Sequence, residues 1–330
     1  VRVIAKRDPL GNLNLETIAI KFREDAQETV VDIKDKRLDW AIYLARSAFA
    51  LKGEAEFHLA EGHILPGICA KVLFKHIRPE NPLYAPLAPH LGELDFINWF
   101  GSQGLIFGKG SVLETSALNA QAVTDVIIKS VNEKADWLNY VPPSPLTPGH
   151  YRAKCEKLHF HLLWVFFKHY VEKNREEITK HWKSIYNWSQ GMCQLIPSMP
   201  PVTQQEELPN ELDLKHLARF MAWLVSKTTF VHWSAHSRQQ LLTDVEQASL
   251  AVEKRALDNN GNLDRYGNTE PDDMIFQLNV SRTLLNFDGD SFFKNPHGDI
   301  NQELLDSLRK HLSAYKGYDD ILKMHLTTQI

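Results

Sequence analysis

From about Asp39 the apolar residues fall at helical spacing. Trp40, Tyr43, Leu44, Ser47 and Phe49 begin a face that continues through Phe57, Leu59 and Ile64. Gly62, Pro66 and Gly67 disturb it late, and a second helix is predicted from Gly67 to Ile77, stopping before Arg78-Pro79. The thirty or so residues ahead mix Val, Ile, Gly and Pro and predict irregular chain or short strands. Pro82, Pro86 and Pro89 punctuate a loop or short helix, and Leu94 to Phe107 is apolar with Gly101 and Gly104 inside it. Tyr140-Val-Pro-Pro-Ser-Pro-Leu-Thr-Pro148 predicts a loop, Cys155 to Lys180 a long aromatic-rich helix, and the proline-studded stretch from Ile196 to Asn210 another loop. Leu217, Phe220, Met221, Leu224, Val225, Thr228, Val231 and Ala235 make one face of a long helix from Leu212 to about Val252. Asn259-Asn-Gly-Asn262 predicts a turn, 272–290 is ambiguous, and Asn301 to His311 predicts a last helix before a polar tail. Strand signals are sparse. The expected fold is mainly α, a single domain over 1–330 bundled around long central helices.

Composition narrows the function more than the fold. The chain has 330 residues and a formal net charge of −4, which gives no electrostatic reason to expect nucleic acid as a partner. No apolar run approaches the roughly 20 residues of a membrane span. Cys69, Cys155 and Cys193 lie far apart and form no CxxC pair. They fit a reducing compartment, the cytoplasm rather than the exterior, better than a disulfide framework. Oligomeric state is not legible. The unusual count is histidine, at 15.

Two histidine pairs stand on predicted helices. His58-Leu-Ala-Glu-Gly-His63 has spacing i, i+5, and His232-Trp-Ser-Ala-His236 has spacing i, i+4. Residues four apart share a helix face and can share an ion. Residues five apart on an ideal α-helix point roughly 140° away from each other. They meet on one ion only where the helix widens, as a π-bulge does, and Gly62 eases such a distortion. Imidazole suits zinc, copper, iron or nickel, and four neutral imidazoles leave a charge that a carboxylate at the chain end could offset. On spacing alone, histidines that merely pack or cap remain the commoner explanation. An HExxH zinc protease site is excluded, because no Glu follows His232. His159-Phe-His161 is i, i+2 and points apart on a helix. The isolated histidines, His90 among them, and Trp137, Trp164, Trp182, Trp188 and Trp223 read as structural.

The wider context of the first pair carries a resemblance. Asp39-Trp-Ala-Ile-Tyr-Leu-Ala-Arg46, Glu54-Ala-Glu-Phe-His58, Asn81-Pro-Leu-Tyr-Ala-Pro-Leu-Ala-Pro-His90, Ile97-Asn98 and Gly104-Leu-Ile106 to Gly110 follow one another in an order similar to the core of the lipoxygenases. Leu163-Trp-Val165 with Tyr170-Val171, the second histidine pair and the terminal isoleucine are similar too. The resemblance is dense over 38–113 and thin over 115–210 and beyond 240.

It implies a short, lipoxygenase-like catalytic domain without the β-sandwich that precedes it in that family. It also implies one iron per chain, with manganese the less favoured alternative. The ligands implied are His58, His63, His232, His236 and the α-carboxylate of Ile330. Glu54 matches a position that links to the ligands from behind. Leu105 and Val112 match apolar residues that clamp the reacting carbon and shape oxygen access. Gly101 falls where the family has Ala or Gly, and Gly there goes with R stereochemistry. The implied partners are a small lipid substrate and O2. The implied reaction takes a hydrogen atom from a 1,4-pentadiene of a polyunsaturated fatty acid and adds O2 to give a hydroperoxide. Departures open an alternative. Phe100 and Ser102 replace basic residues that can meet a substrate carboxylate, Gly67 replaces a common acid, and Ser237-Arg-Gln-Gln240 replaces a Gly-Gln ending. An iron oxidase or isomerase acting on a hydroperoxide or on another kind of molecule fits these as well, and a helical binding protein with structural histidines remains the non-enzymatic reading.

Overall fold

A computed structural model describes residues 2–7, 13–24, 27–92, 94–102, 120–142 and 151–236. The chain opens with an antiparallel meander, β1 (Arg2–Arg7), β2 (Leu13–Glu24) and β3 (Gln27–Asp32), in the order β1-β2-β3. Ile4 pairs with Glu16, and Ile20 with Val31. Short strands were one of two expectations here, and β2 runs to 12 residues. Ile20 and Val31 are buried against Trp40, Ala41 and Tyr43 of α1 (Leu38–Gly53), so the meander has a small apolar core of its own.

Helix α1 runs directly into π1 (Glu54–Ile64), a π-helical segment, and that into α2 (Leu65–His76). Pro66 stands in the first turn of α2, where π1 gives way to α-helix, and it withholds one N–H from the continuous ladder there. The proline-punctuated stretch is a short helix, α3 (Tyr84–Leu91), followed by α4 (Leu94–Phe100). Then come α5 (Ala120–Lys134), which the apolar pattern had not marked, and α6 (Tyr151–Lys173). The expected helix from Cys155 to Lys180 is broken at Asn174, after which α7 covers Arg175–Lys180. Asn174 Nδ2 donates to Tyr170 O at 2.8 Å, a local bond that competes with the helical ladder. Helix α8 (Trp182–Leu195) leads into the expected loop.

Helix α9 (Glu211–Ser226) starts on a capping box. Asn210 Oδ1 accepts from the backbone N–H of Leu212 and Asp213, and Asp213 Oδ2 accepts from the N–H of Asn210. It continues through π2 (Lys227–Val231), another π-helical segment, into α10 (His232–His236). Helices α6 and α9 pack together, and α9 is buried nearly all round. Trp137, Trp182, Trp188 and Trp223 are fully buried, as expected of structural tryptophans, and Trp164 packs on the core's edge. Three of them find polar partners: Trp137 Nε1 donates to Pro200 O, Trp182 Nε1 to Gln205 O and Trp188 Nε1 to Cys69 O. No helix among the described residues is long and apolar enough to cross a membrane.

Candidate metal centre

His58 and His63 meet because the backbone between them is π-helical. The wider turn closes the angle that an α-helix would leave between residues five apart. His63 Nε2 lies 3.1 Å from His58 Nε2 and 3.0 Å from His232 Nε2. The donor atoms of all three rings lie within 4.8 Å of one another. His58 and His232 are buried and His63 is partly exposed. Gly62 makes this approach possible, since a Cβ there would sit 2.9 Å from His232 Cδ2. The sequence offered Gly62 as an aid to backbone distortion, and the structure adds that it gives His232 room.

The hydrogen bonds behind the rings decide what the facing nitrogens are. His58 Nδ1 lies 2.7 Å from Glu54 Oε2, a carboxylate that can only accept. His63 Nδ1 lies 3.0 Å from Asn98 Oδ1, and Asn98 Nδ2 donates to His63 O at 3.0 Å, which fixes which end of the amide faces the ring. Each Nδ1 therefore donates its proton backwards, His58 to Glu54 and His63 to Asn98, and the two Nε2 atoms face inward, 3.1 Å apart. A bound cation would take a lone pair from each. Metal–imidazole bonds of about 2.1 Å meeting at a right angle place their nitrogens about 3.0 Å apart, so the spacing suits an ion as well. Burial, reinforced by the neighbouring His58, pushes the His63 imidazole down to about 3 against the pull of Asn98, so it stays a neutral donor. The residues fit a metal with nitrogen ligands. Glu54 and Asn98 hold the rings' orientation and tautomer, which is how residues behind a metal ligand tune it.

His236 follows His232 by one helical turn on α10, on the same backbone face. Phe100 ends α4, and Gly101 follows half-buried with nothing within 4 Å of where a Cβ would stand. Leu105, Val112 and Ile330 lie outside the described residues. Against Glu54 and Ala235 lies a cavity of about 430 Å³, lined also by Phe49, Ala50, Gly53 and Phe57, with Lys52 and Glu56 at its polar side. His159 is buried and His161 exposed, pointing apart as the i, i+2 spacing requires. His90 is buried, and burial holds its imidazole down at about 3.

Sequence reasoning missed three parts of this centre. Asn98 was noticed only as part of a motif, and its role depends on a partner 35 residues away. Gly67 was noticed as a helix disturber and as the absence of an acid, yet a Cβ there would stand 2.3 Å from Asn98 Nδ2, so the glycine lets Asn98 reach His63. The buried ion pair between Glu61 and Lys227, at 2.5 Å, had no local signal at all.

Comparison of the sequence with models of known protein families finds no match, and neither does comparison with curated proteins. Solved structures do match. A 9R-lipoxygenase from Cyanothece PCC8801 superposes with a TM-score of 0.77 at 19% identity, over 97% of this chain and 51% of that one. A calcium-dependent 11R-lipoxygenase gives 0.71 at 12% identity, over 99% and 54%. A fungal lipoxygenase from Fusarium graminearum gives 0.68 at 12% identity, over 98% and 63%. The chain thus spans between half and two thirds of the length of these structures. At such identities the likeness concerns architecture, and the protein has a lipoxygenase-like, mainly α fold.

Proposed function

We propose that the chain is a non-haem iron dioxygenase that converts a polyunsaturated fatty acid to its hydroperoxide. The observation that carries this reading is the meeting of three imidazole Nε2 atoms, two of whose rings turn Nδ1 to acceptors behind them, on a lipoxygenase-like fold. His236 and the α-carboxylate of Ile330 complete the proposed ligand set, and the carboxylate offsets charge that neutral imidazoles leave. Iron, when bound, supplies the one-electron chemistry that takes a hydrogen atom from the weak C–H bond between two double bonds. The chain's residues do the rest. Glu54 and Asn98 keep the ligating nitrogens free of protons, and the apolar walls of the cavity beside Glu54 exclude water and orient an acyl chain. Leu105, Val112 and Phe100 complete the proposed pocket around the reacting carbon. One structure with the same fold is a lipoxygenase in complex with arachidonate, which supports a fatty acid as the class of substrate. Two others are R-lipoxygenases, and with Gly101 they support an R product.

The second reading, an iron oxidase or isomerase on a different substrate, is favoured by Phe100 and Ser102 standing where a basic residue would meet a carboxylate. One experiment separates the two. Elemental analysis of purified chain gives about one iron, lost in His63→Ala, and linoleate or arachidonate then yields a conjugated diene with consumption of O2. Iron without diene formation favours the second reading. Well-folded chain that takes up no iron sinks both.

A further inference from the structure

We propose that the buried Lys227–Glu61 ion pair is a positioning clasp for the metal centre, and this rests on the metal-binding reading above. Lys227 is fully buried and Glu61 nearly so, with Nζ 2.5 Å from Oε1. Removing two charges from water is costly, and an apolar pair of the same volume is often as stable or more so. Stability alone therefore gives little reason for the pair. What an ion pair adds over apolar contact is direction: one atom is fixed against one atom, and the two segments cannot slide.

Of the two segments it joins, one carries His58 and His63 and the other leads directly into His232. Glu61 lies on π1 between His58 and His63. Lys227 opens π2, and its carbonyl accepts from the backbone N–H of His232, the five-residue bond of a π-turn. One end of Lys227 therefore holds the His232 backbone and the other holds the turn that bears His58 and His63. The Lys227 ammonium also sits 4.0 Å from the centroid of the Tyr140 ring. Tyr140 is itself anchored, its hydroxyl donating to Glu156 Oε1 at 2.8 Å and its carbonyl accepting from Arg219 Nη2 at 2.6 Å. The pair thus sits on a braced floor. The contact between His63 and His232 at 3.0 Å and the Lys227–Glu61 bond pin π1 at two points, one on the first residue of α10 and one on π2 just before it. Without the second pin, the register between π1 and π2 would depend on apolar packing and on the ion itself.

The test is Co(II) and Fe(II) affinity in competition with a chelator, together with the visible spectrum of the Co(II) form and a thermal melt. Wild type is compared with the apolar double variant Glu61→Leu/Lys227→Met and with the exchanged pair Glu61→Lys/Lys227→Glu. The apolar variant melts at or above the wild-type temperature, binds either metal at least tenfold more weakly and gives an altered Co(II) spectrum. The exchanged pair recovers affinity to within about threefold. An apolar variant with wild-type affinity and spectrum overturns the clasp alone. If that variant does not fold, the exchanged pair decides, and a folded exchanged pair without recovered affinity overturns the proposal. Wild type that binds neither metal overturns the metal-centre reading and the clasp with it.

Discussion

Asn98 does two things to His63. Its carbonyl accepts the Nδ1 proton and its amide donates to the backbone carbonyl of the same residue. Asn98→Leu keeps the volume and removes both. With the ring free to turn and to take the other tautomer, metal affinity is expected to fall by about 10- to 100-fold, the usual cost of losing such a partner. Chelator competition on folded protein measures it, and unchanged affinity would mean that His63 is oriented by packing alone. Gly67→Ala reaches the same result by another route. Its Cβ would stand 2.3 Å from Asn98 Nδ2, so Asn98 must withdraw. Gly62→Ala acts on the other ligand, pressing on His232 Cδ2 from 2.9 Å. Both are predicted to weaken metal binding more than they lower the unfolding midpoint. Equal losses of both would make them ordinary overpacking substitutions.

At the scale of elements, the ligand-bearing helices are α-helices interrupted at the site. The i, i+5 spacing of His58 and His63 demanded a widened turn, and π1 supplies it. That much was legible because the demand is local: five residues and one shared ion leave a single geometric solution. The start of α9 was expected near Leu212, and Asn210 with Asp213 fixes it by a capping box that the apolar pattern does not reveal. Asn210→Ala removes an acceptor shared by two N–H groups and should lower the unfolding free energy by about 1 kcal/mol in urea titration, leaving metal affinity unchanged. The break at Asn174 and the π2 segment were not legible. The apolar pattern runs through both, and what interrupts each is a hydrogen bond or a tertiary contact, not a change of period. Helix α5 was missed for the opposite reason. Its buried positions are few, Val123, Ile127, Ser130 and Val131, and half its surface is polar. Glu61 and Lys227 were invisible because a buried charge looks like a surface charge until its partner, 166 residues away, is in place.

At the scale of the whole molecule, two buried imidazoles contribute a pH dependence to stability. His90 lies in α3, outside the His58–His63–His232 group, buried and held down at about 3 from an ordinary 6.5. Burial is the only cause, since the charged form would lose its water. His63 is held down to about 3 as well, with burial the leading cause. Below pH 6.5 the unfolded chain takes up a proton at each of these histidines while the folded chain does not until about pH 3. The unfolded state therefore binds more protons across that window. Unfolding free energy is highest above 6.5, falls as the pH drops, and levels off for these groups only below about 3. Each histidine contributes a slope approaching one proton, about 1.4 kcal/mol per pH unit. His90→Gln shifts the whole curve by whatever its packing costs, but only the loss of the proton changes the slope. Urea titrations of metal-free protein between pH 6 and 4.5 should show the variant's slope reduced by close to one proton. An unchanged slope would mean that His90 is protonated in the folded chain, paired with a group that burial alone does not account for.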